Sequence, residues 1–194
     1  GLGQSRAMDD TDLPPLPATP PGRYRHYKGG EYEVIGAARD SETLAPLTDW
    51  PDLHASLTTL LHQGAQAQEF VSRLTALEAK AQRLVAFRPD QALFMLVRLL
   101  QDRNLSYCAA HALLSATMCE LVAPVAGVSE ADRASLFRAA ITMNLGMARL
   151  QDELARQPGP LTDEQRRDVQ NHPQRTVELL KGLGVGDPLW LKLV

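Results

Sequence analysis

From Trp50 onward, apolar residues return every three or four positions in the stretches between prolines and glycines. That spacing commits the chain to amphipathic helices packed on one another. Phe70, Leu74, Leu77, Ala81 and Leu84 form one stripe. Pro89 resets the chain, and Leu93, Leu96, Val97 and Leu100 predict a second, shorter helix. After the polar break Asp102-Arg103-Asn104, a third stripe runs through Tyr107, His111, Leu114, Met118, Leu121 and Val125. Gly127 is placed to end that helix and Ser129 to cap the next. The next helix carries Leu136, Ala140, Met143 and Met147 on one face, with Phe137, Ile141 and Leu145 beside them. It is apolar over most of its circumference and is expected at the centre of a bundle.

Pro158-Gly159-Pro160 reads as a turn and Thr162-Asp163-Glu164-Gln165 as a capping box. Asn171-His172-Pro173-Gln174 reads as a second capping box and helix start, because proline is tolerated in a first turn that needs no amide donor. Gly182, Gly184 and Gly186 predict a loop before the apolar run Leu189–Val194. That run stops without a cap or polar tail, so the native domain is expected to continue past Val194 or the gene product to be shortened.

The front of the chain obeys other rules. Pro14, Pro15, Pro17, Pro20 and Pro21 cannot sit in a helix or a central strand, so residues 1–21 are expected to form a disordered, proline-rich leader with a ragged start. Residues 22–48 hold Tyr24, Tyr27 and Tyr32, three of the four tyrosines. Tyr32-Glu33-Val34-Ile35 reads as a short strand after a Lys28-Gly29-Gly30 turn. A β module of this length is too small to bury a core alone. The expected fold class is therefore mainly α: a helical bundle over residues 49–194 with a short N-terminal β element.

Charge and motifs exclude several functions. A net charge of −3 and a pI near 6.0 leave no global positive field to draw in nucleic acid. The apolar stretch from Cys108 to Val128 is nearly long enough to span a membrane, but His111, Glu120 and Pro124 interrupt it and its periodicity suits a buried helix. No basic flank and apolar core mark a secretion signal, and two cysteines without CxxC spacing fit a reducing, cytoplasmic setting. No nucleophile elbow, phosphate-binding loop or dinucleotide glycine pattern is present. His111 on an apolar stripe and His172 at a helix start each default to structural histidines.

Their order along the chain adds to this. Ala139-Ala140-Ile141-Thr142-Met143-Asn144-Leu145-Gly146-Met147, then Leu161-Thr162-Asp163-Glu164-Gln165, then His172-Pro173 with Val177-Glu178-Leu179-Leu180 resembles the HD-GYP branch of the HD phosphohydrolases over about residues 90–194. In that family the first segment ends Ala-Ala-Leu-Leu-His-Asp-Ile-Gly-Lys. Family histidines and the His-Asp dyad hold two or three metal ions, which activate water against a phosphodiester, often cyclic di-GMP.

Carried over by position, the resemblance makes His111 and His172 vestigial metal ligands. Met143 and Asn144 stand at the dyad, and Met147 at the phosphate-approaching lysine. The two later histidines would lie beyond Val194. A thioether is a poor ligand for Mn, Fe or Mg, and a neutral amide supplies no bridging charge. The resemblance thus implies a degenerate HD domain with no catalytic residue and no cofactor, a signalling or scaffold module working through a protein partner, self-association or a bound nucleotide. The alternative it leaves open is a divalent-metal phosphohydrolase whose missing ligands come from beyond Val194 or from another subunit.

A second resemblance covers Gly22 to Leu47. Gly22-Arg23-Tyr24-Arg25-His26-Tyr27-Lys28-Gly29, Tyr32-Glu33-Val34-Ile35-Gly36-Ala37-Ala38 and Ser41-Glu42-Thr43 are similar to the first part of a small bacterial β-domain of unknown function, with Thr48-Asp49-Trp50-Pro51 breaking away from its pattern. Tyr24, Arg25, His26, Tyr27 and Lys28 offer stacking and charge for a nucleotide or phosphate, against a structural or docking role. A third reading makes this front segment the working part of a small binding protein.

Overall fold

The computed structural model describes residues 22–25, 31–34 and 49–194. Two strands, β1 (Gly22–Arg25) and β2 (Glu31–Val34), pair antiparallel, with Gly22 opposite Val34 and Arg25 opposite Glu31. The leader at 1–21, the expected turn at Lys28–Gly30, and Ile35 lie outside the described residues. The chain divides into two units at Asp49.

The second unit is helical throughout. Its helices are α1 (Asp49–Gln63), α2 (Phe70–Phe87), α3 (Pro89–Gln101), α4 (Tyr107–Val122), α5 (Glu130–Thr142), α6 (Ala148–Leu154), α7 (Asp163–Gly182) and α8 (Pro188–Leu193). Sequence punctuation places most of the boundaries. Pro89 occupies the first turn of α3, where its missing amide costs nothing. The Ser129 hydroxyl accepts from the Asp132 amide to cap α5, after Gly127 has turned the chain with φ at +74°. Thr162 and Gln165 close the expected capping box on α7, each side chain bonding the other's backbone amide. No described helix is long and apolar enough to cross a membrane.

The core centres on α4, which packs against α2, α3, α5 and α6. Leu60, Leu96, Ala110, Ala116 and Leu180 are wholly inaccessible. The face that α4 buries is not the stripe of large residues expected from spacing. Cys108, Ala109, Ala112, Leu113, Ala116 and Thr117 are buried, whereas Met118 and Val125 of the stripe are exposed and His111 and Leu114 only half-buried. Helices approach to a distance set by the side chains between them. An alanine-rich seam lets α5 and its neighbours come close, so the small residues go inside.

Three further expectations are corrected. On α2 the buried stripe is Phe70, Leu74, Glu78, Ala81 and Val85. Glu78 is admitted because Arg138 of α5 meets its carboxylate at 2.7 Å. The helix bearing Phe137 does not continue to Met147. It stops at Thr142 and gives way to a tight 3₁₀ turn, Leu145–Met147. Asn171–Gln174 begins no helix, since α7 runs unbroken from Asp163 to Gly182 with Pro173 inside it. α8 folds back on α5: the Trp190 indole donates to Thr142 Oγ1 at 2.8 Å, and Asp187 both caps α8 and accepts from Ser135 at 2.6 Å.

Candidate functional site

The segment joining α5 to α6 contains Met143, Asn144 and Met147, and its backbone is clamped by α7. Gly146 sits so close to α7 that an added Cβ would lie 2.7 Å from the His172 carbonyl oxygen and 2.9 Å from Thr176 N and Oγ1. Its amide donates to Thr176 Oγ1 at 2.9 Å, and that hydroxyl donates onward to the Met143 carbonyl at 3.3 Å. The fold thus brings the Met143–Met147 turn against the His172–Thr176 turn of α7. The proximity comes from backbone and from one buried threonine.

The His172 ring has its own task. Pro173 has no amide, so the Val169 carbonyl four residues back loses its helical partner. His172 Nδ1 meets that carbonyl. A carbonyl can only accept, so Nδ1 carries the proton.

His111 lies on α4, stacked on Tyr107 with ring centroids 5.7 Å apart and planes 24° from parallel. Its Nδ1 is buried without a hydrogen-bond partner among the described residues. Burial holds its pKa below the ordinary histidine value, because the charged imidazolium would lose water it cannot replace. Among the described residues no three His, Cys, Asp or Glu side chains gather closely enough to hold a metal. At the positions carried over from the resembled family stand a thioether, an amide and two histidines, one bonded to backbone, a donor set chemically unlike a two-metal clamp. Of the front group, Tyr24 and Arg25 belong to β1, and His26, Tyr27 and Lys28 lie outside the described residues.

Sequence reasoning passed over a buried carboxylate that joins several helices. Asp152 of α6 is 5% exposed. Its Oδ1 accepts from the Cys108 amide at 2.8 Å and the Ser106 hydroxyl at 3.1 Å, and its Oδ2 faces His62 Nε2 at 2.8 Å. Ser106 caps α4 through its hydroxyl, and its carbonyl receives His54 Nε2 at 2.9 Å. One carboxylate thereby fastens α1, the start of α4 and α6. Ser106 faces the aspartate rather than His62, so the group is a staple and not a nucleophilic triad. A partner 90 residues away for His62 was not legible from sequence.

Beside this staple, the α3–α4 loop and the end of α6 enclose a cleft of about 480 Å³. Leu100, Leu105 and Leu154 give it an apolar floor, and Tyr107, Arg103 and Arg156 line it as well. The Cys108 thiol is buried next to Asp152 and pushed up to about 12 by desolvation and by the neighbouring carboxylate. It is a packing residue and not a nucleophile.

A family model described as a protein of unknown function (DUF1653) matches residues 22–55. The match takes in both strands and runs past Thr48 into the first turns of α1, beyond the point where the sequence pattern was expected to break away. No curated protein and no solved structure matches the chain.

Proposed function

We propose that the helical unit is an HD-GYP-like frame whose hydrolytic centre has been filled in, and that it works as a non-catalytic signalling or scaffold module. The observation that carries this reading is the close seat of Gly146 against His172 and Thr176. Gly146 is the glycine of the resembled Ala-Ala-Leu-Leu-His-Asp-Ile-Gly-Lys segment, and His172 is its His-Pro histidine. The steric reason for that glycine persists, while the metal-binding side chains beside it are methionine and asparagine. A site that keeps its packing and loses its charges has kept a shape and given up a reaction.

A partner-binding role has independent support. Phe87, Phe94, Met118 and Val122 are each more than half exposed. Large apolar side chains left in water are a common mark of surfaces that meet another protein.

The test is an assay of the purified full chain for cyclic di-GMP hydrolysis with Mn, Fe or Mg, paired with elemental analysis. No turnover and no stoichiometric metal is the expected result. Turnover together with bound Mn or Fe would establish the metal-dependent phosphohydrolase instead.

A further inference from the structure

The cleft beside the α3–α4 loop lies apart from the Met143–His172 contact and is used by nothing described above. Its walls are mostly apolar, and its size falls within the range that accepts a small organic molecule. Arg156 is committed: its guanidinium reaches back to the Arg103 carbonyl at 3.3 Å and the Leu105 carbonyl at 3.4 Å, compensating loop carbonyls that would otherwise repel an anion. The Asp102 carboxylate is turned onto the Asn104 backbone and side-chain amides at 3.0 and 2.8 Å. The Arg103 guanidinium makes no side-chain hydrogen bond or ion pair among the described residues, and it stands exposed on the cleft wall. Gln151, another wall residue, has its Oε1 buried with no donor among the described residues.

The geometry points to a binding site for a free, small apolar acid, a molecule whose aliphatic or aromatic body lies on Leu100, Leu105 and Leu154 and whose anionic head meets Arg103. The apolar floor supplies the attraction, and the single uncommitted cation at the wall selects the charge. A neutral amphiphile would leave Arg103 without a counter-charge, and a cationic one would face it directly. The inference goes beyond the scaffold reading and does not depend on it.

Calorimetric titration of the full chain with octanoate, octanol and octylammonium tests it. Octanoate should bind with a Kd on the order of 0.1–1 mM, the range for a ligand of its size. Octanol and octylammonium should bind at least about tenfold more weakly, a difference that one charge-assisted contact supplies. Arg103→Gln should lose that selectivity with the melting temperature unchanged. Ala155→Phe, which fills the cleft from the end of α6, should abolish binding. If Ala155→Phe does not fold, the comparison of octanoate with octanol on the parent chain and on Arg103→Gln still decides the matter. Equal binding of the three probes, unchanged binding to either variant, or no heat with octanoate would overturn the assignment. So would pelleting of the chain with anionic phospholipid vesicles, which would assign the surface to a membrane and not to a free acid.

Discussion

His172 Nδ1 donates to the carbonyl of Val169, the acceptor that Pro173 leaves without its amide. The His-Pro pair is therefore a repair inside a long helix: the residue before the proline supplies the hydrogen bond that the proline withholds. Proline inside a helix costs about 3 kcal/mol, and one recovered hydrogen bond offsets about 1 kcal/mol of that. Pro173→Ala should stabilise the chain by about 1–3 kcal/mol, and His172→Ala should destabilise it by about 1 kcal/mol. In the Pro173→Ala background the histidine substitution should be nearly silent. A double-mutant cycle from urea denaturation reads this directly, and full additivity would contradict the repair.

Gly146 has no room for a methyl group. An alanine there would drive its Cβ to 2.7 Å from the His172 carbonyl, which is backbone and cannot swing aside. Gly146→Ala should destabilise by about 1–3 kcal/mol despite its better helix propensity. Thr176→Val, which keeps the shape and removes the hydroxyl shared by Gly146 and Met143, should cost about 1–2 kcal/mol. Thermal melts of the two variants check both values.

Asp152 joins three helices through a single carboxylate. Asp152→Ala should destabilise by about 2–4 kcal/mol, since it strands the Cys108 amide and the Ser106 hydroxyl in a buried place. Asp152→Asn keeps an oxygen for those donors and turns its amide toward His62, which can accept in its other tautomer. Its cost should be nearer 1 kcal/mol. Equal losses for the two variants would mean that the charge, and not the hydrogen-bond pattern, is what matters.

His111 gives the stability a pH dependence with a defined sign. Its pKa is lowered in the folded state by burial, so below the ordinary value of 6.5 the unfolded chain binds more protons than the folded one. Stability from this group is present above that value and is lost as the pH falls below it. Denaturation midpoints between about pH 7.5 and pH 5 should drop more steeply for the parent than for His111→Leu. Parallel profiles would remove His111 as the source.

Cys108 should be silent toward thiol reagents while the chain is folded. Its pKa of about 12 and its burial leave almost no thiolate at neutral pH. Iodoacetamide should modify the half-buried Cys119 first, and Cys108 only on unfolding. Mass spectrometry of labelled peptides separates the two.

Local chemistry made much of the helical unit legible. Pro89 marks a helix start because its fixed φ and missing amide suit a first turn. Ser129 and Thr162 mark starts because a hydroxyl can satisfy an amide that the helix cannot. Gly127 takes the positive φ expected of it, but α4 has already ended at Val122, so the glycine turns the chain beyond the helix rather than ending it. Each such signal is complete within a few residues. The second capping box failed for the same reason. Asn171-His172-Pro173 is locally consistent with a start, and only the neighbouring helical turn at Val169 decides that the helix passes through it.

What the sequence determined, then, is that residues 50–194 are helical and where α3, α5 and α7 begin. Tertiary structure decided which face of each helix is inside and which distant polar groups meet. The stripe of large residues on α4 lost to a seam of alanines, because close approach of two helices rewards small side chains over many contacts at once. Glu78 with Arg138, and Asp152 with His62, carry no mark in the sequence of having partners. A buried charge is tolerable only when its counterpart arrives from another helix, and only the packed chain brings it there.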